Sequence, residues 1–111
     1  MKPYNGFTGK QRMQGDVLIK QAIADGIKPP PTKCSVCGQM RGILHYHCED
    51  YSPENVVKDA KCMCWLCHMM LHCYHRNPEA VTTYFSQVLA GKKFPPTWYH
   101  NFYELKKYGI E

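Results

Sequence analysis

The sequence predicts a small α+β fold stapled by zinc, and three observations predict it. Two C-x2-C pairs, Cys34-Ser-Val-Cys37 and Cys64-Trp-Leu-Cys67, are separated by 26 residues, and each such pair makes a tight knuckle that offers two thiolates to one tetrahedral ion. A β-forming run from Arg41 to Cys48 lies between them and carries His45 and His47 at alternate positions. Stretches with the apolar spacing of helices flank this centre on both sides. A chain of 111 residues has room for one domain with a modest apolar core, so a metal cross-link adds stability where burial is thin.

Composition bounds the class. The seven cysteines are an odd number, and no apolar run with a cleavage-like end opens the chain, so an intracellular protein with reduced thiols available to metal is expected. No segment has the length and apolarity to span a membrane. The formal charge is +5, and because four thiolates on Zn²⁺ carry a net −2 the zinc-loaded chain stands at about +3. Such mild basicity permits a polyanionic partner and is equally the mark of an ordinary soluble surface.

Residues 1–33 read as an arm, a helix and a stiff connector. Thr8 with Gln11 fits a capping box, Leu18, Ile19, Ala22 and Ile23 give an amphipathic face, Gly15 weakens the early turns, and Gly26 stops the helix. Lys28-Pro29-Pro30-Pro31-Thr32-Lys33 must run extended into the first knuckle. Residues 34–76 form the zinc core. Gly38 suits the knuckle turn, a hairpin is expected at about residues 41 to 48, and strand alternation turns His45 and His47 to one face and Tyr46 and Cys48 to the other. Asp50 to Asn55 is turn-rich and leads through Lys58-Asp-Ala-Lys61 to the second knuckle. A helix follows from Trp65 to His75, with His68 and His72 one turn apart on one face, the spacing by which paired imidazoles hold a metal. Residues 77–111 supply two more helices. Asn77 caps the first, Pro78 begins it and Gly91 ends it; Thr97 is expected to cap the second. The flanking helices should pack through Leu18, Ile23, Tyr84, Phe85, Val88, Leu89, Trp98 and Phe102.

The order of knuckle, histidine strand, Asp-Tyr-x-Pro turn, knuckle and Cys-His-x3-His helix over residues 34–76 resembles the zinc-bearing HNH endonucleases of the ββα-metal fold, in their small phage and prophage form. The resemblance implies a structural zinc on Cys34, Cys37, Cys64 and Cys67. It also implies a second divalent ion, Mg²⁺, Mn²⁺, Ni²⁺ or Zn²⁺, beside scissile DNA phosphate, with His68 and His72 as helix ligands. Two registers of the strand stay open: aligning on Asp50-Tyr51 puts His47 at the ligand position and Cys48 at the general-base position, whereas His47 as base puts Tyr46 where a ligand belongs. Asn55 matches the family's loop-orienting asparagine, and against the family's pattern Val57 to Cys62 reads as an insertion. The cellular setting implied is the cytoplasm of a bacterial host.

Two functions from different classes follow. One is a metal-dependent nuclease of HNH type acting on DNA, with His47, His68 and His72 as ligands and Cys48, Glu49 or Asp50 recruited to activate or orient water. The other is a non-catalytic zinc module, derived from such a nuclease, that binds nucleic acid or a phage or host protein. A third arrangement, in which His45, Cys48, Cys62, Cys73 and His75 build a second soft-ligand zinc site, also fits the residue types.

Overall fold

A computed structural model describes residues 1–111. It is an α+β chain: α1 (Gly9–Ala24), β1 (Leu44–His47), α2 (Val56–Asp59), β2 (Lys61–Cys64), α3 (Trp65–His72), α4 (Pro78–Leu89) and a C-terminal 3-10 helix, Phe102–Tyr108. β1 and β2 pair as one two-stranded antiparallel sheet. No helix is long and apolar enough to cross a membrane. Packing gathers the chain into two compact units, one made of residues 1–30 and 46–61, the other of 31–45 and 62–111.

In the first unit, α1 begins as its residues dictate. Thr8 Oγ1 accepts from the Gln11 amide at 3.1 Å and the Gln11 side chain accepts from the Thr8 amide at 2.8 Å, so the capping box satisfies two otherwise orphaned donors. Ile19 packs with Cys48, Tyr51, Val56 and Ala60 into a small apolar cluster, with Ile23 partly buried against it. Gly15 has a packing role in place of the expected weakness: a Cβ there would stand 2.9 Å from the Tyr51 ring and 3.0 Å from Val56, so α1 and α2 meet where the side chain is missing. Leu18 lies on the exposed side of α1, because the face that meets α2 is set by Gly15, Ile19 and Ala22.

The second unit has one core in which both knuckles are embedded: Cys34, Cys64 and Cys67 are buried with Trp65, Met70, Val81, Tyr84, Leu105 and Ile110. Asn77 caps α4 by accepting from the Ala80 amide at 3.2 Å, and Pro78 occupies the first turn. Tyr84 stacks on Phe94 with ring centres 4.9 Å apart.

Four expectations are corrected here. The partner of β1 is β2, just before the second knuckle, and the hairpin is not confined to residues 41–48. The stretch read as an insertion folds, its first part as α2 and its last as the start of β2. Helix α3 ends at His72, with Cys73 as its C-cap, short of the expected His75. The last helix begins at Phe102 under an Asn101 cap, whose side chain accepts from the Tyr103 amide at 3.1 Å. Thr97 is instead held in a loop, its carbonyl accepting from the Ile43 amide at 2.7 Å. Leu105 is buried as a result, while Trp98, Phe102 and Leu89 stay on the surface.

Candidate metal centre

The first knuckle is shaped by backbone bonds that a C-x2-C segment makes when its amides turn toward sulfur. Cys34 Sγ accepts from the amides of Val36 and Cys37 at 3.4 and 3.5 Å, and the Gly38 amide reaches the Cys34 carbonyl at 3.0 Å. Gly38 sits at φ +81°, a conformation that a side chain would strain. The second knuckle doubles as the start of α3: Cys64 is its N-cap, and Cys64 Sγ accepts from the Cys67 amide at 3.4 Å. Ser35 joins the two, its amide and hydroxyl both donating to the Cys62 carbonyl, at 2.8 and 2.7 Å.

The four sulfurs therefore converge, all within 4.8 Å of one another. Cys37 and Cys64 Sγ are 3.7 Å apart, which matches the edge of about 3.8 Å that a tetrahedron with Zn–S bonds of about 2.3 Å requires. Their acid–base chemistry points the same way. As thiols they share protons: Cys34 is held far below the usual thiol range by S–H groups of Cys37, Cys64 and Cys67, and Cys67 is pushed far above it, chiefly by its link to Cys34. Four thiolates fit this volume only when a cation offsets their charge, and a soft-accepting divalent ion with no fifth ligand suits a closed, buried set of sulfurs. The chain therefore carries a four-cysteine cluster that could hold a metal ion such as zinc.

A residue that spacing did not single out completes the cluster. Tyr84, 2 % exposed and read from sequence only as core, places its hydroxyl 3.1 Å from Cys67 Sγ. Burial first, then the bond to Cys67, hold its phenol well above the ordinary range, so it stays protonated and donates to the sulfur. Such donors to metal-bound sulfur are invisible in spacing because they come from another helix.

The helix histidines follow directly. In α3, His68 Nε2 and His72 Nε2 face one another at 2.9 Å, the result of a four-residue separation on one turn. His68 uses its other ring nitrogen, Nδ1, to contact His45 Nε2, and the two rings stand edge to face at 4.3 Å. His45 is thus a partner of the helix pair. Of the alternative soft-ligand set, Cys73 is buried in the core of this unit, His75 is exposed, and Cys48 belongs to the other unit's apolar cluster.

In the first unit, His47 is 6 % exposed and its Nε2 lies 2.7 Å from Glu49 Oε1. Glu49 also accepts from the Tyr4 hydroxyl, at 3.0 Å from both carboxylate oxygens, and burial followed by that carboxylate raises the Tyr4 phenol to about 12. Cys48, expected as a stand-in base, is a core thiol. It is 2 % exposed, directed at the Val56 carbonyl, and burial followed by the Asp59 charge raises it to about 12, so it is neutral at physiological pH. Asp50 and Asn55 serve the loop. Asp50 accepts from the Ser52 amide at 2.9 Å and from Asn55 Nδ2 at 3.1 Å, and the bonds from Ser52 hold its carboxyl below the usual range. Asp59 fixes the loop from below, one oxygen accepting from the amides of Glu49 and Asp50 at 2.7 and 2.9 Å.

Compared with protein-family models, with curated proteins and with solved structures, the chain matches none.

Proposed function

We propose that this chain is a divalent-metal-dependent endonuclease of HNH type that hydrolyses DNA phosphodiester bonds, with the four-cysteine zinc as its staple. The observation that carries the reading is the facing pair of imidazoles, His68 and His72, on a helix whose first turn is made by the zinc cysteines. The family pattern assigns the third ligand position to His47, at the end of β1, and the succession of β1, β2 and α3, with the short α2 between the strands, supports that reading. Three imidazoles leave coordination positions open for phosphate oxygen and water, as a closed four-thiolate site does not. When bound, the second ion would polarise the phosphate and offset charge on the leaving oxygen.

The chain's own groups divide the remaining work. His45 fixes the tautomer and ring orientation of His68 through Nδ1, so that Nε2 faces His72. Glu49 lies against His47 Nε2, and of the three water-activating groups considered the Cys48 thiol is neutral, while the carboxylates of Asp50 and Glu49 both accept bonds from the protein. We assign Glu49, the carboxylate in contact with the ligand histidine, as the group that accepts the proton from water. A base so placed contributes about 10²- to 10⁴-fold in rate.

The neutral thiol at the expected base position also supports a second reading, a non-catalytic zinc module that binds nucleic acid or a phage or host protein. Plasmid nicking in Mg²⁺, Mn²⁺, Ni²⁺ and Zn²⁺ separates the two. The wild type should nick, and His68→Ala or His72→Ala should abolish nicking with the zinc content and the fold intact. A wild type that leaves plasmid untouched in every metal yet retards DNA in a gel establishes the module; one that does neither leaves a protein as the partner.

A further inference from the structure

The second unit carries a groove that the metal chemistry does not use. One end is a cleft of about 400 Å³ beside the first knuckle, with Arg41 and Lys93 in its wall and Pro95 and Pro96 at its far side. The same two prolines form the near side of a second cleft of about 210 Å³, whose walls include Trp98, Tyr99 and Tyr108. The two clefts adjoin at Pro95-Pro96, the first with cations in its wall and the second with aromatic rings and Glu104.

The cationic end is concentrated by the knuckle. Because Gly38 has no side chain, Lys93 Nζ and Lys33 Cε both come close to the turn, 3.7 and 3.8 Å from where a Cβ would stand, and Lys93 Nζ is held by the Cys37 carbonyl at 3.1 Å. This unit has seven Lys and Arg against three Asp and Glu, whereas the other unit has seven against six. With the four-thiolate zinc counted at −2, the unit with the groove keeps an excess of +2 against +1 in the other.

The aromatic end is displayed and held. Trp98 is 61 % exposed and Tyr99 80 %, well beyond what a core-forming aromatic shows. Their backbone is fixed on both sides, the Tyr99 carbonyl accepting from the Asn101 amide at 2.9 Å on the C-terminal one. The Thr97 carbonyl is bonded to the Ile43 amide, seated against Gly42 where a Cβ would come within 2.4 Å of it, and the prolines stiffen the approach. An aromatic displayed in water on a held backbone is a stacking platform whose ordering on binding is limited to its side chain.

We propose that this groove binds single-stranded nucleic acid, with phosphates against Lys33, Arg41 and Lys93 and unpaired bases stacked on Trp98 and Tyr99. A cationic track joined to exposed rings is what an unpaired strand requires, since each base offers a π-face and each linkage a charge; in a duplex those faces are hidden in the stack. The proposal shares with the nuclease reading only the class of partner, and its test involves no cleavage.

The measurement is fluorescence anisotropy of a labelled twelve-nucleotide oligothymidylate with the full zinc-loaded chain and no added metal, with a blunt duplex of equal length as competitor. The strand should bind in preference to the duplex. A Trp98→Ala/Tyr99→Ala protein should bind about tenfold or more weakly, as loss of base stacking does. A Lys33→Ala/Arg41→Ala protein should flatten the log–log salt dependence by about 0.7 for each phosphate that it ceases to neutralise. Zinc content and the far-ultraviolet spectrum check that each variant is folded. The proposal is overturned if the oligothymidylate does not bind, if the aromatic variant binds it as the wild type does, or if that variant only disperses a dimer of the chain. Strand binding without plasmid nicking would uphold the groove and remove the nuclease reading.

Discussion

At the scale of single residues, Tyr84 and Cys48 show how burial assigns roles that residue type leaves open. Tyr84 donates to Cys67 Sγ at 3.1 Å, and Tyr84→Phe removes that donor without changing ring packing against Phe94 and Tyr108. Zinc affinity should fall about tenfold, the lower end for removal of a group that bonds to a metal ligand, as read by competition with a chromophoric chelator; unchanged affinity would make the hydroxyl incidental. Cys48 has the opposite character, a thiol kept neutral. The fold holds the protons of Cys48 and Tyr4 up to about 12, whereas a free thiol titrates at about 8.5 and a free phenol at about 10. The unfolded chain therefore releases its protons first. Stability is complete below the unfolded values and is lost as pH rises from there toward the folded ones. Melting temperature should decline through this alkaline range, and less steeply in Cys48→Val, which keeps the apolar volume; an identical decline in the variant would remove Cys48 as its source.

At the scale of elements, local signals were legible in the sequence and long-range ones were not. The capping box of Thr8 and Gln11, the Asn77-Pro78 start of α4 and the knuckles are contained within a few residues each, and the structure has them as read. Strand β2, Lys61–Cys64, escaped because its four residues carry no alternation strong enough to declare a strand; its pairing with β1 is decided across the intervening loop. The aromatics near the C-terminus were spaced as a helix face, yet Asn101 starts the element later than Thr97 would, and Trp98 and Phe102 stay out of the core. Gly15 shows the same limit from the other side. Propensity favours Gly15→Ala by about 1 kcal/mol, but the new Cβ would meet the Tyr51 ring at 2.9 Å, and overpacking costs about 1–3 kcal/mol. The variant should lower the urea midpoint; a raised midpoint would mean that Tyr51 yields freely and α1 has no close approach there.

At the scale of the whole molecule, the knuckles stand in the core of the larger unit, so metal binding and folding of that unit are one equilibrium. Chelation, or Cys67→Ser, should abolish the cooperative melt of the segment that contains Trp65, Met70 and Tyr84, followed by the fluorescence of buried Trp65 in a Trp98→Phe background. Acid should do the same, because protons compete with the ion for thiolates. The four-cysteine cluster was the part of the site most legible in the sequence, since its signal is spacing alone. The histidine pair was legible as helical geometry, whereas the contacts of His45 with His68 and of Tyr84 with Cys67 were not, because the partners come from other elements. The central claim is that Cys34, Cys37, Cys64 and Cys67 hold one zinc ion. Zinc K-edge X-ray absorption of the His68→Ala/His72→Ala protein loaded with one equivalent tests it most directly: four sulfurs at about 2.3 Å are predicted, and a shell containing nitrogen or oxygen, or a protein that holds no zinc, would contradict it.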